Sequence, residues 1–128
     1  MPVRQLRLVV TAPDYDEAVH FYRDALGLDE RDAVQSPNGR VTILDAGRAT
    51  LEIAEPSTAE YIDEVEVGRR VAGHIRIAFE VDDAHAMTAA LADAGAEVLA
   101  GPRPTPVRST NARLNGPAGL QLTLFQLD

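Results

Sequence analysis

The chain has 128 residues, is 45% hydrophobic and 25% charged, and carries a net charge of −8 with a pI near 4.8. That composition suits one domain with a real core, and the acidic balance opposes binding to nucleic acid or to anionic membranes. The chain contains no cysteine, which excludes disulfides, thiolate metal sites and cysteine nucleophiles, and no tryptophan, which leaves little for base stacking. No apolar run approaches the roughly 18 residues of a membrane span. The opening MPVRQLRLVV also lacks a signal-peptide layout, so a cytoplasmic protein with no membrane partner is expected.

The stretch LRLVV (6–10) reads as a strand with Leu6, Leu8 and Val10 on one face. In APDYDEAVHFYRDALGL, Asp14 is a helix N-cap and Glu17 completes a capping box. Ala18, Phe21, Tyr22, Ala25 and Leu26 recur at helical spacing and Gly27 is a natural stop. Residues 28–35 lead into the hairpin signal Asn38-Gly39, and VTILD (41–45) turns at Gly47 into ATLEIAE (49–55). The first half is β-α-β-β-β. Residues 55–73 read as a linker pinned by Tyr61, Ile62 and Val65, with a short helical turn or flap as the other option. In this linker Arg69 and Arg70 read as a solvated pair.

The order then repeats. HIRIAFEV (74–81) is a strand, Asp82 or Asp83 caps a helix that Gly95 ends, and three strands follow at 96–101, near 107–114 and at 120–126. The Pro-rich GPRPTPVR (101–108) reads as a stiff loop that cannot join a central strand. Laying Asp14 on Asp83 puts Arg7 on Arg76 and nearly aligns Gly27 with Gly95, which marks an internal repeat.

The phrase D-x-x-x-A-x-x-F-Y-R-D-x-L-G-L (14–28) and the closing NGPAGLQLTLF (115–125) resemble the vicinal oxygen chelate superfamily. Its members include glyoxalase I, extradiol dioxygenases and the bleomycin and fosfomycin resistance proteins. The resemblance implies an α+β fold of two tandem βαβββ modules, each a curled mixed sheet with a helix on its outer face, together forming a cavity. Module one is 4–55, the linker 56–72 and module two 73–127, within a single domain over 1–128. Metal-dependent members place ligands on the first and last strand of each module. Carried over, these positions are Arg7, Glu52, Arg76 and Thr123, of which only Glu52 suits a metal, because a guanidinium has no free lone pair. His74 would reach a ligand position only through a two-residue register shift. The cofactor expectation is therefore none, with a divalent metal entering only if His74 and Glu52 recruit one.

Period-two alternation gives the inward face independently. Arg7, Val9 and Thr11 come from the first strand and Thr50, Glu52 and Ala54 from the fourth. His74, Arg76 and Ala78 come from the fifth, and Gln121, Thr123 and Phe125 from the last. Leu6, Leu8, Leu51, Ile53, Ile75, Ile77, Leu120, Leu122 and Leu124 should pack under the helices. Three readings of the inward charges stay open. Arg7, Glu52 and Arg76 form a buried ion network; or two arginines and one glutamate leave a positive centre for a ligand bearing a carboxylate or phosphate, with His74, Thr123 and Phe125 completing the site; or Glu52 or His74 transfers a proton without metal. In the last case the arginines should depress Glu52, and His74, with an ordinary pKa of about 6.5, is the better titrating group. His20 and His85 read as surface residues.

The expected function is a metal-free small-molecule-binding protein whose ligand carries an anionic group. The alternative is a metal-dependent lyase, isomerase or dioxygenase of the same superfamily. Half-open sheets leave edges that a second copy would cover, so a homodimer is expected.

Overall fold

The computed structural model describes residues 2–128. The first half folds as β1 (Val3–Thr11), α1 (Tyr15–Val19), a π-helical turn (His20–Ala25), β2 (Glu30–Ser36), β3 (Gly39–Ala46) and β4 (Ala49–Ala54). A helix, α2 (Pro56–Glu66), connects it to β5 (Ile75–Val81), α3 (Ala84–Asp93), β6 (Glu97–Thr105), β7 (Ser109–Asn115), a 3₁₀ turn (Pro117–Gly119) and β8 (Gln121–Leu127). The eight strands make one mixed, open sheet in the order β2-β3-β4-β1-β5-β8-β7-β6. The α+β repeat is therefore real. No helix among the described residues is long and apolar enough to cross a membrane.

The modules meet edge to edge within one chain. β1 and β5 pair antiparallel with Leu8 opposite Ile77, while β1 runs parallel to β4 and β5 parallel to β8. Val9 lies opposite Glu52 and Ala78 opposite Thr123. An approximate dyad at the Leu8/Ile77 pair thus exchanges Arg7 with Arg76 and Glu52 with Thr123.

Local chemistry sets the helix ends. The Asp14 carboxylate accepts the Glu17 N–H at 3.1 Å and Asp83 accepts the Ala86 N–H at 3.0 Å, caps worth about 1 kcal/mol each. Gly27 and Gly95 follow the helices at φ of 90° and 110°, where an L side chain is strained. The first helix departs from its sequence reading after Val19, where five-residue turns replace four-residue ones. That change throws the stripe out of phase: Tyr15 and Val19 are buried, whereas Phe21 and Leu26 are exposed.

Each module has its own core on the helix side of the sheet. Ala12, Tyr15, Val19, Leu44 and Ile53 form one, and Val81, Ala84, Ala112, Leu114 and Leu124 the other. The expectation that the whole outer face lies under helices needs correction. α1 packs on β4 and α3 on β6, β7 and β8, so the seam between the modules is uncovered, and Leu6, Ile75 and Leu120 are exposed.

Two further corrections concern connections. The expected Pro-rich loop is mostly strand: β6 runs through Pro102 and Pro104, which the sheet tolerates because β6 is its outermost strand. The expected linker is mostly α2, eleven residues and about 16 Å long, with Pro56 in its first turn. α2 touches β3 on one side and β6 and β7 on the other. A helix that short reaches both only because the sheet curls around it.

Candidate functional site

The curled inner face and α2 enclose a cavity of about 320 Å³. Its floor is built by alternation: Arg7, Val9 and Thr11 from β1, Glu52 and Ala54 from β4, Arg76 and Ala78 from β5, Thr123 and Phe125 from β8. α2 contributes Thr58, Ala59, Ile62 and Glu66, and β7 contributes Ser109 and Asn111.

Of the expected inward residues, three are absent from this lining. His74 is exposed; β5 begins one residue later, and the His74 carbonyl accepts the Thr11 N–H at 3.0 Å. Thr50 is buried without reaching the cavity, and Gln121 turns to a different partner. His20 and His85 are exposed, and Arg70 pairs at the surface with Glu60.

A buried ion network exists, but not where the sequence reading put it. Arg113 on β7, fully buried, donates from Nη1 to Asp63 Oδ1 at 2.7 Å and from Nη2 to Glu66 Oε1 at 2.8 Å. Both carboxylates belong to α2. Arg113 Nη1 also reaches Gln121 Oε1 at 2.7 Å, and Asn111 Nδ2 donates to Glu66 Oε2 at 2.8 Å. The other oxygen of Asp63 accepts the Val71 and Ala72 N–H groups, each at 2.8 Å. Burial works against ionised Asp63, but the Ala72 amide, Arg113 and the Val71 amide outweigh it and hold its pKa below the ordinary value. This cluster fixes the last turn of α2 over the sheet. The first turn is held by Thr58 Oγ1, which donates to the Arg40 carbonyl at 3.2 Å, and by the Arg40–Glu55 ion pair at 3.1 Å.

Thr123 joins the network to the cavity. Its hydroxyl donates to Glu66 Oε1 at 3.0 Å and accepts from Arg113 Nε at 3.1 Å and from Arg76 Nη1 at 2.8 Å. One hydroxyl has one hydrogen and two lone pairs, and all three are in use. Arg76 is thereby aimed at a fixed point, while burial pulls its pKa down from the usual arginine value. Arg7 is held differently: its Nε donates to Gln5 Oε1 at 2.8 Å and its guanidinium lies 4.6 Å from the Phe125 ring centre, a cation–π geometry.

Among the described residues, neither Arg7 nor Arg76 forms an ion pair with Glu52 within 4.0 Å. Glu52 also behaves opposite to expectation. Desolvation raises its pKa, the positive fields of Arg7 and Arg76 oppose that, and burial prevails. The charge count changes as well, because Glu66 joins the lining beside the two arginines and Glu52. A positive excess arises only when Glu52 is protonated or when Glu66 is counted with Arg113.

A model of the Glyoxalase/Bleomycin resistance protein/Dioxygenase superfamily matches residues 4–124. The chain belongs to this superfamily. Solved structures with its fold include a hypothetical protein from Bacillus halodurans C-125, 17% identical with a TM-score of 0.68, the match covering 98% of this chain and 94% of that one. Methylmalonyl-CoA epimerase from Mycobacterium tuberculosis matches at 18% identity and a TM-score of 0.65, over 99% of this chain and 88% of the other. A variant of the Streptomyces coelicolor methylmalonyl-CoA epimerase, in complex with 2-nitronate-propionyl-CoA, matches at 23% and 0.64, over 99% and 97%. At such identities the likeness establishes the fold. No curated protein matches the chain in sequence.

The donor set does not fit the divalent ion of the superfamily's metal-dependent branch. Of its four ligand positions, Arg7 and Arg76 offer only N–H donors and positive charge, and the Thr123 hydroxyl is fully engaged. Among the described residues no three His, Asp, Glu or Cys side chains are grouped to hold a metal.

Proposed function

We propose that this superfamily member is a metal-free small-molecule-binding protein whose ligand carries an anionic group. One observation carries the reading: two guanidinium groups, Arg7 and Arg76, line the same cavity without an ion-paired carboxylate among the described residues. A carboxylate or phosphate is the natural complement of such planar donors in a partly desolvated site. Phe125, Val9, Ala54 and Ile62 supply an apolar wall, and the volume suits a small metabolite rather than a bulky drug.

Isothermal titration calorimetry with inorganic phosphate, malonate and pyruvate tests this. At least one should bind, and Arg7→Gln and Arg76→Gln should each weaken it about tenfold, the loss of one charge-assisted hydrogen bond. Affinity unchanged in both variants overturns the anion site. Stoichiometric Mn, Fe, Co, Ni or Zn, retained after desalting and lost in Glu52→Ala, overturns the metal-free reading.

The same proposal includes a homodimer, supported by the exposed apolar seam at Leu6, Ile75 and Leu120. Light scattering after size exclusion tests it, and a monomer at micromolar concentration would refute it.

A further inference from the structure

The two ends of the cavity differ. At the module-one end the chain turns from β4 straight into α2, and the lining residues Ala54 and Thr58 are both buried there. At the module-two end two lining residues are largely exposed, Val107 at 72% and Leu127 at 51%. The mouth is therefore at the module-two end, and its lip is aliphatic.

Single exposed aliphatic side chains are ordinary, but these two are held together by a built turn. Val107 lies in the turn between β6 and β7, and Leu127 ends β8, paired with Ser109. The Asp128 N–H donates to the Arg108 carbonyl at 3.1 Å, which ties the end of the chain to that turn. Within it, Thr105 Oγ1 accepts the Val107 N–H at 3.3 Å and shares a 2.7 Å hydrogen bond with Ser109 Oγ. Arg108 sits at φ 61°, a left-handed conformation that costs a residue with a side chain and persists only where its surroundings hold it.

The inward positions of β8 lead from the charged floor to this lip. Thr123, which fixes Arg76, is 2% exposed, Phe125, which carries the Arg7 guanidinium over its ring, 5%, and Leu127 51%. Four residues of strand span about 13 Å. One molecule following that track would meet two guanidinium groups first, then an aromatic ring, then two aliphatic side chains open to water.

We propose that the ligand is an amphipathic monocarboxylate, its carboxylate held by Arg7 and Arg76 and its alkyl chain running over Phe125 and out between Leu127 and Val107. This rests on the anion-binding reading above and narrows it. The charged end sits deep, where the cavity is desolvated and a charge-assisted hydrogen bond is strongest. The alkyl end covers the exposed valine and leucine, and each methylene it buries should tighten binding about threefold to fourfold.

The experiment is calorimetry of the full-length protein with acetate, butyrate, hexanoate and octanoate, beside inorganic phosphate. Affinity that climbs about threefold or more per methylene up to octanoate supports the proposal. Val107→Ser combined with Leu127→Ser should then weaken octanoate at least tenfold and leave phosphate within threefold of the parent. Both side chains are exposed, so this variant should keep its fold. Affinity that does not depend on chain length overturns the alkyl track and leaves the anion site standing. So does a series that climbs equally in the double variant, or phosphate binding with no carboxylate of the series bound. Octan-1-ol binding as tightly as octanoate overturns the amphipathic assignment. A dimer that the double variant turns into a monomer in light scattering shows a second copy on the lip and overturns it too. Failure of phosphate and of every carboxylate to bind overturns the reading on which the proposal rests.

Discussion

Arg113 and Glu66 meet at 2.8 Å inside the protein, one on a strand of the second module and the other on the last turn of the helix between modules. With Asp63 they make a charge cluster of two carboxylates and one guanidinium, all nearly sealed from solvent. Removing the arginine strands both acids. Arg113→Met should lower the unfolding free energy by about 3–5 kcal/mol in urea titrations. Adding Asp63→Asn and Glu66→Gln to that variant should recover a large part of the loss, because neutral amides are far cheaper to bury than unpaired charges.

Glu52 links stability to pH with the opposite sign from Asp63. Its folded pKa lies above the unfolded value near 4.5, so stability falls as pH rises from that value through the folded one. Glu52→Gln should therefore raise the urea midpoint at pH 7 and leave it unchanged near pH 4. Asp63 is depressed, so its contribution is present above the ordinary aspartate value of 3.8 and disappears as pH falls through the folded one. Asp63→Asn should flatten the acid limb of the stability profile.

Thr123→Val keeps the shape and removes the hydroxyl. Arg76 Nη1 loses an acceptor and Glu66 Oε1 loses a donor, which should cost about 1–3 kcal/mol in stability. Thr123→Ser restores the hydroxyl and should restore most of both stability and anion affinity. A valine variant that binds phosphate or malonate as tightly as the parent would show that Arg76 needs no fixing.

Ala59 faces the cavity from α2. Ala59→Leu should fill part of the space, keep stability within about 1 kcal/mol of the parent, and abolish binding of whichever anion the parent takes. Calorimetry and a urea titration on the same sample separate the two effects.

The sheet was largely legible because alternation is a property of the local backbone. Val9, Glu52, Arg76, Thr123 and Phe125 all reach the cavity that their parity assigns them. α2 was not legible for the same reason that it matters. Its buried positions are Thr58, Asp63 and Glu66, and their polarity masks the apolar stripe by which a helix is usually recognised. Their neutralising partner, Arg113, lies 47 to 50 residues away in sequence, a separation that local patterning does not bridge. A signal was present in β7, where Ser109, Asn111 and Arg113 share one parity and so belong to the inner face. The direction of the Glu52 shift was hidden because burial depth depends on the curl of the sheet and on α2, neither of which a strand-by-strand reading contains.

The dyad at Leu8 and Ile77 makes the two arginines equivalent by position, since Arg7 and Arg76 occupy the same place in their respective modules. The other exchanged pair is unequal: a carboxylate at 52 corresponds to a hydroxyl at 123. A ligand with an acid group at each end would meet a guanidinium whichever way round it entered, but its two ends would be told apart by Glu52 against Thr123 and by the different supports of Arg7 and Arg76. The repeated modules thus present a near-palindromic clamp, to which the unlike pair Glu52 and Thr123 gives a direction.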